Sequence, residues 1–229
     1  MISFRNISKF YINKNLKYRA LYNISFDIDF GDYVVISGEV GCGKTTLLNV
    51  LGCIDKYDEG EYIFGSKNIS SMNDFELSRL RNESFGFVFE YTKLIPELNL
   101  FENVELPLLY SHDFKKDRKK KVLESLDMVG LEKYKYSYVN EVSKECRQKI
   151  CIARALVSGA KIILADEPTK FLDEGSSQEI LNIFYDLNRR GFTVIVSGNK
   201  VSDFIKVNKI INLNDGILVQ KCLHEIIRR

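Results

Sequence analysis

No stretch of the sequence reaches the eighteen or so consecutive apolar residues that a membrane-spanning helix requires, and Met1-Ile2-Ser3-Phe4-Arg5 does not open a signal peptide. A soluble, cytoplasmic chain is the expectation. Neither charge sign dominates: 33 Lys and Arg against 31 Asp and Glu leave a net +2, which argues against nucleic acid as the main partner. Cysteine is scarce. Cys42, Cys53, Cys146, Cys151 and Cys222 are odd in number, scattered and without metal-ligand spacing, so free thiols in a reducing compartment are expected. The two histidines, His112 and His224, stand apart from every motif and read as surface residues. Internal repeats and low-complexity segments are missing as well, so residues 1–229 read as one domain able to bury a full core.

What is present is organised around Gly38-Glu39-Val40-Gly41-Cys42-Gly43-Lys44-Thr45. This fits G-x-x-x-x-G-K-[ST], the phosphate-binding loop. It lies where that loop must, after the apolar run Tyr33-Val34-Val35-Ile36-Ser37 and before the helical stretch Thr46-Leu47-Leu48-Asn49-Val50-Leu51. Glycines let backbone N–H groups turn inward around a phosphate without Cβ clashes, and the helix that follows adds the positive end of its dipole. Lys44 supplies a point charge for the terminal phosphates of ATP, and the Thr45 hydroxyl a ligand for Mg²⁺. The alternative, a glycine-rich turn after a buried strand, gives the lysine and the hydroxyl nothing to do.

Elsewhere the periodicity sets a coarse frame. From Asn23 to Phe30, apolar Ile24, Phe26, Ile28 and Phe30 alternate with polar Ser25, Asp27 and Asp29, the pattern of a half-buried antiparallel strand. Tyr62-Ile63-Phe64, between Gly60 and Gly65, reads as part of a hairpin. By contrast Val34-Val35-Ile36, Ile162-Ile163-Leu164-Ala165 and Val194-Ile195-Val196 are unbroken apolar runs, which suit parallel strands covered on both faces. A helix is predicted between Ser176 and Gly191. Ser176-x-x-Glu179 would be its capping box, Ile180, Ile183, Phe184 and Leu187 its apolar face, and Gly191 its C′ residue. From about 92 to 156 the pattern is mostly helical and predicts an inserted lobe. Within it the basic run Lys115 to Lys121 reads as a solvated helix face opposite Val122, Leu123, Leu126 and Met128, since no aromatics interleave the charges as in a nucleic-acid patch.

A phosphate loop needs a carboxylate for the metal and a group to direct water. Ile162-Ile163-Leu164-Ala165-Asp166-Glu167 offers both, delivering Asp166 to Mg²⁺ and Glu167 as candidate general base. With Pro168-Thr169, Leu172-Asp173 and Ile152-Ala153-Arg154-Ala155-Leu156, these motifs resemble the ATP-binding subunit of an ABC transporter, from about Ile2 to about Val219. Leu51-Gly52-Cys53-Ile54-Asp55-Lys56, Gly86-Phe87-Val88-Phe89, Leu94-Ile95-Pro96 and Glu102-Asn103-Val104-Glu105-Leu106-Pro107 are most similar to the subfamily that energises macrolide, lipoprotein and antimicrobial-peptide exporters.

The resemblance implies an α/β fold: a P-loop NTPase core of mostly parallel sheet with an antiparallel β subdomain and an inserted helical subdomain. It also implies Tyr11 as the ring stacked on adenine, although core packing suits a lone tyrosine as well. Two such subunits, alike or different, would meet head to tail around ATP. They would drive a separate integral membrane permease, docked near Tyr91 to Tyr110, from the cytoplasmic face of the cell membrane.

Three positions depart from the family pattern. Where Leu-Ser-Gly-Gly-Gln is expected, the chain has Val142-Ser143-Lys144-Glu145-Cys146, and both glycines are gone; Ser143 there reads equally as a helix N-cap. Where the family places a glutamine that touches Mg²⁺ and the attacking water, it has Glu90, a possible metal ligand that adds negative charge beside the phosphates. Where the family has a histidine on the γ-phosphate, it has Asn199, which can donate a hydrogen bond but carries no charge. The expectation is firm MgATP binding with slow hydrolysis by this chain alone, restored by a partner subunit whose signature is intact. A nucleotide-binding scaffold with little chemistry of its own is the alternative.

Overall fold

A computed structural model describes residues 1–14, 16–110, 115–199, 201–204 and 206–219. Cys222, His112 and His224 lie outside them. Strands β1 (Ile2–Asn13), β2 (Leu16–Ile28), β4 (Glu59–Phe64) and β5 (Lys67–Asn68) make an antiparallel sheet in the order β2-β1-β4-β5. The other six strands are β3 (Tyr33–Ser37), β6 (Phe85–Val88), β7 (Ile162–Ala165), β8 (Thr193–Gly198), β9 (Lys209–Asn214) and β10 (Ile217–Leu218). They form a second sheet in the order β10-β9-β3-β8-β7-β6, parallel except for β10. The three apolar runs read as parallel strands are thus the centre of this sheet. Helices α1 (Lys44–Leu51), α2 (Asp74–Ser84), α3 (Leu100–Glu105), α4 (Lys115–Met128), α5 (Lys144–Leu156) and α6 (Glu174–Arg189) complete the elements, with short 3₁₀ turns between them.

The unbroken apolar strands serve two cores at once. In β7, Ile162 and Leu164 belong to the core shared with the antiparallel sheet, while Ile163 and Ala165 face the core built with α3 to α6. Residues Ile195 of β8 and Val194 with Val196 divide in the same way, because successive side chains leave opposite faces of a strand. Between the sheets, Phe4 packs edge-on to Tyr62 at 4.5 Å, and the Tyr62 hydroxyl donates to the Leu51 carbonyl at 2.7 Å. That bond ties the antiparallel sheet to the end of α1. On the other face, α5 buries Ile150, Ile152 and Ala153 in the core that also holds α6's Ile180 and Phe184. Among the described residues, 92–156 contain no strand, only an isolated bridge between Asn99 and Tyr138.

Local expectations are corrected at three places. The alternating strand begins earlier, at Leu16, and ends at Ile28, leaving Phe30 beyond it and 58% exposed. The N-cap of α6 is Asp173, whose carboxylate accepts from the Ser176 N–H at 2.9 Å; Ser176 therefore lies inside the helix, and Glu179 pairs with Lys149 instead of closing a capping box. An aspartate three residues upstream outcompeted the serine, because its carboxylate is the stronger acceptor for an N-terminal N–H. In α4, Val122 and Leu126 are buried as expected, but Met128 is 39% exposed at the last residue of the helix.

Candidate active site

Parallel register collects the site. Val88 pairs with Ala165, Ala165 with Val196, and Ser37 with Gly198, so the carboxyl ends of β3, β6, β7 and β8 share one edge. Gly38, Glu90, Asp166, Glu167 and Asn199 all follow at that edge, where open α/β sheets bind ligands. The loop from Gly38 to Thr46 turns there from strand to helix. A Cβ on Gly38 would fall on the carbonyl oxygen of Leu213, so only glycine fits. Gly43 is the N-cap of α1 at φ 106 and supplies no side-chain cap; the first turn holds no acidic residue either. Cys42 is buried, its N–H bonded to the Glu39 carbonyl at 3.2 Å, while Val40 is exposed on the outside of the loop. The amino end of α1 is thus left open to an anion.

Lys44 reaches back over its own loop. Its ammonium, on a residue only 4% exposed, donates to the carbonyls of Gly38 (2.7 Å) and Glu39 (3.1 Å) and to Oδ1 of Asn199 (3.0 Å), and lies 3.2 Å from the Glu167 carboxylate. Thr45 Oγ1 donates to Asp166 Oδ2 at 2.7 Å. Asp166 takes a second bond, from Ser197 Oγ at 2.7 Å, and the same serine oxygen accepts the Glu167 N–H at 2.8 Å. Glu167 stands at φ 39, a left-handed backbone unusual for a side chain of its size, and Ser197 anchors its amide there. Burial pushes the Glu167 carboxyl up, but the ammonium groups of Lys170 and Lys44 outweigh it and hold the group below the usual carboxylate range.

The remaining expected residues are placed as follows. Tyr11, on β1, is half-exposed; its hydroxyl donates to Asp55 Oδ2 at 2.5 Å and hydrogen-bonds the Thr46 side chain, bringing the ring beside the start of α1 and away from the core. Burial, then the bond to Asp55, raises its hydroxyl above the ordinary value. Glu90 pairs with Lys170 at 2.8 Å. Ser143 caps α5, accepting from the Cys146 N–H at 3.1 Å, and Glu145 is bound to Lys149 at 2.5 Å and to the Ser176 hydroxyl at 3.3 Å. Those contacts join Val142–Cys146 to α6, not to the phosphate loop.

Among the described residues no cluster of three or more Asp, Glu, His or Cys is arranged to cage a metal. One hydroxyl and one carboxylate are nonetheless a fitting donor set for Mg²⁺, which takes few protein ligands when phosphates and water complete its shell. Two site residues escaped sequence reasoning, Ser197 and Lys170. Lys170 could have been found from its place three residues after Glu167, within reach across one tight turn closed by the Lys170 N–H on the Glu167 carbonyl, but the partnership with Glu90 needs the fold.

The sequence pattern of the ABC transporter family matches residues 21–170. Over 219 residues the chain is 39% identical to YknY of Bacillus subtilis (strain 168), an ABC transporter ATP-binding protein, covering 96% of this chain and 95% of that one. The chain belongs to the ABC transporter family. The cassette is 37% identical to the macrolide export ATP-binding/permease protein MacB of Escherichia coli, matching with 96% of its own length but spanning only 34% of that protein. Its backbone matches the dimeric bacterial ABC transporter cassette MJ0796 with a TM-score of 0.87 and 36% identity, over 96% of this chain and 97% of that one. The same score relates it to MJ0796 in a post-hydrolysis dimer bound to ADP and Pi. The cassette is an ABC-type ATPase with an α/β fold, and no described helix is long and apolar enough to cross a membrane.

Proposed function

We propose that the cassette binds MgATP at the Gly38–Thr46 loop, hydrolyses it slowly when alone, and works on a separate membrane permease from the cytoplasmic face of the cell membrane. The observation that carries this is the meeting of Lys44, Thr45 Oγ1 and the Asp166 carboxylate at the uncapped start of α1. A bound Mg²⁺ would neutralise phosphate charge and orient the reacting oxygens. Thr45 and Asp166 would hold it, with Ser197 fixing the carboxylate from behind. Lys44, now bonded to its own loop, Asn199 and Glu167, would exchange these for the terminal phosphates. Releasing Lys44 frees one oxygen of Glu167 to accept a proton from water, and the Asn199 side-chain N–H, which Lys44 does not engage, would donate to phosphate. Tyr11 would flank the base, since its ring lies beside Thr46.

Slow turnover follows from two features. Asn199 brings no charge to the γ-phosphate, and Val142–Cys146 lacks both glycines and holds Glu145 in the first turn of α5, where a partner's phosphate would approach. A second cassette with an intact signature would therefore raise turnover at this chain's loop. A permease would find exposed Tyr91, Ile95, Leu109 and Tyr110, an apolar set in the segment after β6. The competing reading, a nucleotide-binding scaffold, is favoured by the same two features. Single-turnover hydrolysis measured beside ATP affinity separates them: slow turnover abolished by Glu167→Gln supports the ATPase, and tight binding with no turnover, alone or with any partner cassette, supports the scaffold.

A further inference from the structure

Lys170 makes contacts that the site as described does not need. Its ammonium lies 2.8 Å from Glu90 Oε1 and 3.1 Å from Glu167 Oε2, joining the segment after β6 to the turn after β7. The same two segments meet again one residue on, where the rings of Tyr91 and Phe171 lie 5.4 Å apart. Glu90, Tyr91, Arg147, Lys170 and Phe171 line an open cavity of about 280 Å³, so water reaches the pair. The Lys170 side chain is 35% exposed and Glu90's 22%. The Glu90–Lys170 pair is wet enough to contribute little to stability, so stability alone does not account for a second carboxylate on this ammonium.

Charge does account for it. Glu90, Lys170 and Glu167 together carry a single negative charge, the same as Glu167 beside two neutral residues. We propose that Lys170 is a positioning residue for ATP hydrolysis matched to Glu90: the ammonium cancels the Glu90 carboxylate at the phosphate-facing edge, while Glu90 draws part of the ammonium away from Glu167. The proposal rests on the reading of Glu167 as the base. Each residue corrects what the other would do alone. Without Lys170, two uncompensated carboxylates face the phosphates. Without Glu90, the whole ammonium sits on Glu167, favouring phosphate binding but occupying the base.

Four proteins test this: wild type, Lys170→Ala, Glu90→Gln and the double variant, each measured by calorimetry with ATP and Mg²⁺ and by single-turnover hydrolysis. The single variants are expected to shift ATP affinity in opposite directions, about threefold or more weaker for Lys170→Ala and tighter for Glu90→Gln. Both are expected to lower single-turnover hydrolysis about tenfold. The double variant should return both quantities to within about threefold of wild type. A merely structural pair would move affinity in one direction or not at all. Affinity shifts of the same sign, unchanged single variants, or a double variant whose turnover loss is the product of the two would each overturn the proposal. Wild-type protein that takes up no ATP at all would be a different failure, that of the phosphate loop itself, and it shows before any variant is made.

Discussion

Replacing Ser197 with alanine removes one oxygen and two bonds. Ser197 is 1% exposed; its hydroxyl donates to Asp166 Oδ1 at 2.7 Å and accepts from the Glu167 N–H at 2.8 Å. Asp166 is itself 8% exposed, so its carboxylate would lose a charge-assisted bond with little water to replace it, and the Glu167 amide would lose the acceptor it has among the described residues. A hydrogen bond to a charged group is worth about 1.5–3 kcal/mol and a neutral one about 1 kcal/mol, which places the combined loss near 3 kcal/mol. For a chain of 229 residues that is a fall of about 6–12 °C in Tm. Urea unfolding of the nucleotide-free protein gives the free energy, and an unchanged slope with denaturant shows that the native state has lost stability and not its fold. Turnover should fall about tenfold with ATP affinity within about threefold, because Glu167 loses the bond that holds its left-handed backbone while Lys44 keeps its contacts. A loss below about 0.5 kcal/mol, or an unchanged turnover, would refute this role for Ser197.

Asp173→Ala should cost about 1 kcal/mol in denaturant unfolding by removing the cap of α6; an equal loss from Ser176→Ala would reverse that assignment. Gly38→Ala should abolish ATP binding measured by calorimetry, since its Cβ has no space beside Leu213; retained affinity would mean that the loop is not held as described. Because Glu167 is held below its ordinary value of 4.5, its contribution to the nucleotide-free protein is complete above that value and disappears as pH falls through the lower, folded one. Wild type should therefore be more stable than Glu167→Gln at pH 7, with the difference shrinking below about pH 4.5 in thermal melts; a difference growing toward acid would contradict the ion pairs drawn here.

What the sequence made legible was whatever depends on local pattern. The glycine spacing of Gly38 to Thr45, the apolar runs of β3, β7 and β8 and the Asp166-Glu167 pair at a strand end each carry their meaning within a few residues. Ser197 and Lys170 do not. Ser197 meets Asp166 across 31 positions and Lys170 meets Glu90 across the β6–β7 pairing, so their partners exist only once the parallel register is set. The α6 cap was misplaced for a different reason: Asp173 and Ser176 are both good caps three residues apart, and the choice between them rests on acceptor strength and not on pattern. Charge at Glu90 was visible in sequence as a liability beside phosphates, and its neutralisation by Lys170 was not.

The central claim is that one ammonium at the open start of α1 grips a triphosphate. Isothermal calorimetry of the nucleotide-free cassette with ATP and Mg²⁺, repeated on Lys44→Ala, tests it most directly. Saturable heat in wild type and a loss of affinity of a hundredfold or more in the variant, about 2.7 kcal/mol, is the expected result. Equal heats from the two proteins, or none from either, would contradict it.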